Sequence, residues 1–382
     1  MPWQERSSMS LREEFVTLAS QEGANVRALC RRFEISAKTG YKWLTRYRQE
    51  GPAGLQDRSR RPHHAPTRTA PEVEARILAL RSTHPAWGGR KLRARLRGPD
   101  QQPVPSASTI TAILHRHHQI DPQEATKHRP YQRFARATPN ELWQMDFKGH
   151  FALAQGGRRC HPLSVLDDHS RFNVGLLACA DEQEATVQTQ LTALFRTYGL
   201  PEALLADNGP PWGTAGAGVE YTALTVWLLR LGIQVLHGRP HHPQTQGKAE
   251  RFHRTLAVEA LCEGPFADLG ACQQAFDRFR QVYNTERPHE ALGDATPASR
   301  YQASPRPFPA VMPPIEYDAA ALVRRVQQKG EISVRNQSYL VGKAFCGYPV
   351  ALRPTAQDHL LDVYFGTQKV AQIDLTQPKG AC

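Results

Sequence analysis

Apolar residues in the first part of the chain recur at helical spacing. Leu11, Phe15 and Leu18 mark one short helix. Gly23-Ala24-Asn25 interrupts it, and Val26, Leu29 and Cys30 resume the pattern. Ser36 is placed to cap a third helix, in which Gly40, Trp43, Leu44 and Tyr47 form one apolar stripe. Lys38, Tyr41, Lys42 and Thr45 lie on the opposite face, with Arg46 beside them. This is the pattern of a helix-turn-helix unit with a basic recognition helix, over residues 1–57. A basic, proline-containing linker, 58–71, follows. Helical spacing returns over 72–120, at Val73, Ile77 and Leu80, at Leu92 and Leu96, and at Ile110, Ile113 and Leu114. Ser106 or Ser108 can cap the last of these helices, and Arg90, Lys91, Arg93, Arg95 and Arg97 crowd the middle one. A second helical DNA-binding unit is expected here.

After another basic linker, 121–140, the pattern changes to strands. Strand-like runs lie near 143–151, 159–167 and 171–180, then a helix near 183–198 and a strand at 202–206. A helix near 220–231, a strand at 233–237 and helices near 245–262 and 267–284 complete the segment. Strands followed by alternating helices predict a layered α/β domain over 141–300. A proline-rich linker, 301–315, separates it from EISVRNQSYLVG, YPVALRP and LLDVYFGTQKVAQIDL. Their alternation, with turn signals at Asn336 and Gly366, predicts a small β-barrel over 316–382. A barrel of that size needs docking or DNA for full stability.

Charge adds a substrate class. The net charge is +12, but residues 1–140 hold 25 Lys and Arg against 12 Asp and Glu, a balance of +13. The excess is thus wholly N-terminal, the electrostatic footprint of nucleic-acid binding. No apolar run approaches the length that spans a bilayer, and the first residues carry no apolar stretch like a signal peptide. The reading is a cytoplasmic protein without membrane association. The 7 cysteines are scattered with no Cys-x-x-Cys, which excludes a cysteine zinc site or disulfide framework as the organising device.

Three acids carry the candidate chemistry. Asp146 lies in the apolar run LWQMDFKG, Asp207 follows ALLA and precedes Asn208-Gly209, and Glu250 opens a basic helix. Two strand ends and a helix start that converge would make a cluster of carboxylates, and oxygen-only ligands suit magnesium or manganese. Around the acids stand Trp143, Gln246-Gly247-Lys248-Ala249-Glu250-Arg251 and, downstream, Tyr283-Asn284-Thr285-Glu286-Arg287-Pro288-His289. Upstream come RSRRPHHAP and Trp87-Gly88-Gly89-Arg90-Lys91-Leu92. This ordered combination resembles the bacterial insertion-sequence DDE transposases, whose catalytic core is retroviral-integrase-like.

The resemblance implies a ribonuclease-H-like core with a mixed five-stranded sheet, between N-terminal all-α helix-turn-helix units and the C-terminal barrel. It implies that Asp146 sits on the first strand, Asp207 after the fourth and Glu250 on a following helix. These acids would be the catalytic residues and would hold two Mg2+ ions, or Mn2+. The activity implied is DNA cleavage and strand transfer by two-metal phosphoryl transfer. Its partners would be double-stranded DNA, both terminal inverted repeats and target, with a homo-oligomer assembled on paired ends. Lys248, Arg251 and Arg254 would grip phosphates beside Glu250, joining Lys38, Tyr41, Lys42, Arg46, Arg90 and Lys91 as DNA contacts. Two departures stand out. The basic residue usual two helical turns beyond the glutamate is replaced by Ala257, and the Gly- and Ala-rich stretch 210–220 lengthens the Asp207–Glu250 spacing. A metal-dependent nuclease and a DNA-binding protein on a decayed core are the alternatives that use the same residues.

Overall fold

The structure, a computed structural model, describes residues 8–58, 69–97, 104–120, 136–207, 209–213, 221–237 and 247–377. Most of both basic linkers, together with His63, His64, Asn208 and Gln246, lies outside them. The chain forms two compact units, 1–68 and 69–382.

In the first unit, α1 (Ser8–Ala19), α2 (Val26–Arg32) and α3 (Ala37–Glu50) enclose Phe15, Val16, Cys30, Trp43, Leu44 and Leu55. Asn25 caps α2 through the Ala28 N–H, and Ser36 caps α3 through the Thr39 N–H, both at 3.1 Å. Such caps satisfy amide groups that the first helical turn leaves without partners. The buried face of α1 is rotated from the expected stripe: Phe15, Val16 and Ala19 are buried, while Leu11 is 38% exposed. The reason is Gly40, where an added Cβ would lie 2.3 Å from Cys30 Sγ and 2.8 Å from Phe15 Cζ. The helices meet at that point, and Leu11 lies a turn beyond it.

The second unit begins with α4 (Pro71–Thr83), α5 (Gly89–Leu96) and α6 (Ala107–Arg116) around Ile77, Trp87, Leu92, Ile110 and Leu114. Ser106 caps α6. The core sheet follows, with β1 (Trp143–Phe147), β2 (Phe151–Ala152), β3 (Arg159–Asp167), β4 (Asn173–Cys179), β5 (Ala203–Ala206) and β6 (Gln234–His237). Strand β3 pairs antiparallel with β4 and β1, whereas β1, β5 and β6 run parallel. The expected mixed five-stranded sheet is present, with β2 adding a two-residue rung to β3.

Helices α7 (Glu184–Tyr198) and α8 (Ala223–Arg230) cover one face, burying Trp143, Met145, Leu163 and Val165 with Leu191, Phe195 and Leu228. Helices α9 (Gly247–Glu259) and α10 (Leu269–Thr285) cover the other, burying Cys160, Leu166 and Leu176 with Phe252, Leu256 and Phe276. Alternate residues of β3 therefore feed two separate cores, which explains its nearly continuous burial.

The C-terminal strands correct the barrel expectation. Strands β7 (Leu322–Arg325), β10 (Pro349–Pro354), β11 (Leu360–Phe365) and β12 (Gln368–Asp374) make an open sheet in the order β12-β11-β10-β7. Strands β8 (Glu331–Val334) and β9 (Gln337–Leu340) form a separate hairpin. Closure would require pairing between the outer strands, but β7 is only four residues long and the chain then leaves the sheet for the hairpin. The hairpin buries Ile332, Val334 and Tyr339 by side-chain packing and does not extend the ladder. The assembly docks on the core: Phe345 meets the Tyr221 ring edge-on at 5.0 Å. The Gln368 carboxamide accepts from Val235 N–H and donates to Val235 O, both at 3.3 Å, on β6.

Gly89 allows α5 to approach α6, since an added Cβ would lie 2.4 Å from the Ala107 carbonyl oxygen. Neighbouring Gly88 has open space around it. Urea unfolding of the whole chain should show Gly89→Ala destabilised by about 1–3 kcal/mol and Gly88→Ala nearly unchanged. Equal effects at the two positions would contradict the packing argument.

Candidate active site

Asp146 owes its direction to strand alternation. Trp143 and Met145 point to the α7/α8 core, so Gln144 and Asp146 point toward α9. Phe147 returns to the first face, its ring 6.0 Å from that of Trp212. The cross-strand partner of Asp146 is Ser164, whose Oγ donates to the Asp146 carbonyl oxygen at 3.1 Å.

Asp207 directly follows β5, which pairs in parallel with β1, so both aspartates stand toward the C-terminal ends of adjacent strands. Gly209 N–H donates to Asp207 Oδ1 at 3.2 Å, an Asx-type turn that fixes the carboxylate. On β6, His237 Nδ1 lies 3.0 Å from the Asp207 carbonyl oxygen, and its Nε2 is buried without a hydrogen-bond partner among the described residues.

Glu250 lies in the first turn of α9 and is exposed. Two buried links hold this helix to the sheet. Lys248 pairs with the carboxylate of Asp168, which is 1% exposed and also accepts from Gln144 Nε2 at 2.7 Å and Arg136 N–H at 2.8 Å. One turn further along α9, His253 Nε2 lies 2.8 Å from Ser164 Oγ. Ser164 gives its proton to the Asp146 carbonyl, so the imidazole donates through Nε2. Its Nδ1 then faces Asp146 Oδ2 at 3.6 Å. His253 was not singled out from sequence; its signal was its place one helical turn after Glu250 on the same face.

The electrostatics match this crowding. Burial, then the charge of Asp207, with a smaller push from Glu250, raises the Asp146 carboxyl to about 7. Burial also raises Asp207, against the pull of Gly209 N–H and His237. Burial, with Lys148 nearby, lowers His253 to about 4, so the ring is neutral at pH 7. The three acids thus share one electrostatic neighbourhood. Among the described residues, however, no three acidic, His or Cys side chains are close enough to hold a metal ion as the chain stands. Asp167, a neighbouring acid, accepts from Asn140 N–H and from Ser170 N–H and Oγ, the bonding of a turn residue.

The expected DNA contacts fall into different settings. Lys38, Tyr41 and Lys42 are exposed on α3, and Lys42 and Arg46 lie 4.3 and 5.2 Å from the Trp43 ring. Arg251 and Arg254 are exposed on α9, as is Ala257. Arg90 pairs with Glu290 at 3.0 Å and stays largely exposed. Lys248 and Lys91 are both half-buried, and burial lowers each ammonium to about 8.

Comparisons with known proteins agree along the chain. A helix-turn-helix domain model matches residues 11–63 and a homeodomain-like model 39–114. Integrase core domain models match 136–243 and 231–297, and the C-terminal domain model of the IS481 family transposases matches 321–380. An uncharacterized 39.2 kDa protein of insertion element IS476 from Xanthomonas euvesicatoria is 29% identical over 253 residues, 64% of this chain and 69% of that protein. A 31.7 kDa protein of insertion element IS407 from Burkholderia multivorans is 29% identical over 42% of this chain, and the match spans about half, 54%, of that protein. The HTLV-2 integrase catalytic core domain, solved in complex with magnesium, aligns with 43% of this chain at 17% identity and a TM-score of 0.32, covering 97% of that chain. The matched core domains define an integrase-type polynucleotidyl transferase preceded by helix-turn-helix units. With the insertion-element relatives and the C-terminal match, the chain is identified as an insertion-sequence DDE transposase.

The link through Ser164 sets where α9 sits against β1. His253→Ala should leave binding of DNA unchanged and lower strand joining by about tenfold or more, the loss expected when a reacting group is misplaced by an ångström. Wild-type joining in a folded His253→Ala protein would show that the link is structural only.

Proposed function

We propose that this transposase binds the inverted repeats at its element's ends and catalyses DNA cleavage and strand transfer at Asp146, Asp207 and Glu250. The observation that supports the reading is the pair of half-buried aspartates on adjacent strands, with the charges of Asp207 and of Glu250, in the first turn of α9, both felt at Asp146. Carboxylates in such a setting are costly unless a cation offsets them. Their oxygen-only donor set fits a hard divalent ion, Mg2+ or Mn2+. Asp146, Asp207 and Glu250 would hold two such ions. When bound, these cations offset charge building on the phosphate and polarise the attacking and leaving oxygens.

The chain's own residues orient and exclude. The Asx turn at Gly209 fixes Asp207, Ser164 and His253 fix Asp146 relative to α9, and Lys248 fixes the helix start on Asp168. The basic N-terminal part supplies DNA affinity that falls with salt. Strand transfer of an element requires both ends together, so the reading extends to a homo-oligomer on paired ends.

The test is incubation of the purified protein with Mg2+ or Mn2+, a labelled element-end duplex and a plasmid target. Joined product is expected from the wild type, and none from Asp207→Asn, which should still bind the end. Joining that survives Asp207→Asn removes that residue from the site. Hydrolysis alone would favour a nuclease, and binding without chemistry a decayed core.

A further inference from the structure

We propose that His237, the last residue of β6, is a positioning residue for Asp207: its ring holds the Asp207 backbone at the point where the sheet releases it. The inference rests on the reading above, in which Asp207 is one of the acids that hold a divalent cation.

Asp207 is the aspartate that the sheet itself holds least. Pairing of β5 with β1 ends at Leu205, opposite Gln144, and pairing of β5 with β6 ends at Ala206, opposite His237. Neither ladder reaches Asp207. Asp146, by contrast, still lies within the β1–β3 ladder, opposite Ser164. Two contacts take over at Asp207. Gly209 N–H donates to the carboxylate at 3.2 Å, and His237 Nδ1 lies 3.0 Å from the carbonyl oxygen. A carbonyl oxygen only accepts, so the proton of this second bond is on Nδ1. The imidazole thus stands in for the strand amide that one more rung of the ladder would have supplied.

The ring has no competing attachment. Its Nε2 is buried without a hydrogen-bond partner among the described residues, so the Nδ1 bond is what orients it. The carbonyl carbon it holds is bonded to the Asp207 Cα, and freedom at that group becomes freedom in the direction of the carboxylate. Groups that orient a metal ligand without touching the metal typically cost about 10–100-fold in metal affinity or activity when removed. Which ring nitrogen acts can be read by substitution. The side-chain amide of Asn falls where Nδ1 stands, whereas that of Gln falls nearer Nε2, where no acceptor is described.

Two measurements on the full-length protein test this. In the first, Mn2+ binding without DNA is followed by electron paramagnetic resonance. His237→Leu should weaken Mn2+ affinity by about tenfold, His237→Gln should be similarly weakened, and His237→Asn should recover most of the loss. In the second, strand joining is compared with binding of the element-end duplex. His237→Leu and His237→Gln should join less while binding the duplex as the wild type does, and His237→Asn should again recover. A purely structural histidine would lower Tm and leave Mn2+ affinity unchanged, which overturns the inference. So does a His237→Asn protein as defective as His237→Gln, a comparison between two polar variants that holds even if His237→Leu fails to fold. Asp207→Asn serves as the reference for Mn2+ affinity. Joining that survives Asp207→Asn sinks the three-acid reading, whereas weakened Mn2+ binding in Asp207→Asn beside wild-type binding in His237→Leu and His237→Gln sinks the role of His237 alone.

Discussion

Asp146 and Asp207 stand on neighbouring strands, half-withdrawn from water, and burial together with the charge of Asp207 makes Asp146 costly to ionise there. Two carboxylates in that position resist burial and favour any motion that separates them. The fold opposes the motion from several directions. Parallel pairing of β1 with β5 fixes the strands, Gly209 N–H holds the Asp207 carboxylate, and Ser164 ties the Asp146 backbone to His253. The buried pair Lys248–Asp168 sets the start of α9. Breaking a pair of that kind leaves a lone charge inside the protein and costs about 3–5 kcal/mol. Rigidity in the frame thus holds the two acids close despite their resistance to burial.

Local patterning made much of this legible. Ser36, and Ser106 as one of two candidates with Ser108, announced helix starts, and the apolar run LWQMDFKG placed Asp146 on a strand. The three acids could be named because each sits at a strand end or helix start, where local signals are strongest. Long-range pairing was not legible. Nothing near Ser164 or His253 announces that residues 89 positions apart are bonded. Lys248 illustrates the same limit: in sequence it is one more cation near Glu250, and only the fold brings it to Asp168. The barrel expectation failed for a related reason. Alternation identifies strands but not whether the outer two meet, and the departure of the β8–β9 hairpin from the sheet is a tertiary event.

The seam between α4–α6 and α10 combines apolar packing with a rim of ion pairs. Trp87 stacks on His84 at 3.8 Å and fills the apolar side, while Arg90 and Arg95 meet Glu290 and Glu286 at the rim. Exposed pairs of this sort contribute little each. The buried aromatic and aliphatic contacts hold the helices in place, and the charges set the register.

Gln368 has a wider consequence. Strand β6 is the outer strand of the catalytic sheet, and the Gln368 carboxamide occupies both hydrogen-bonding groups of Val235, as another strand would. An open strand edge is a template for any extended chain, including an identical neighbour. The C-terminal sheet therefore acts as a guard on the catalytic domain's most adhesive border. A core cut free near residue 300 would carry that border bare. The shortened protein would be prone to edge-to-edge association in concentrated solution, however well its own interior was packed.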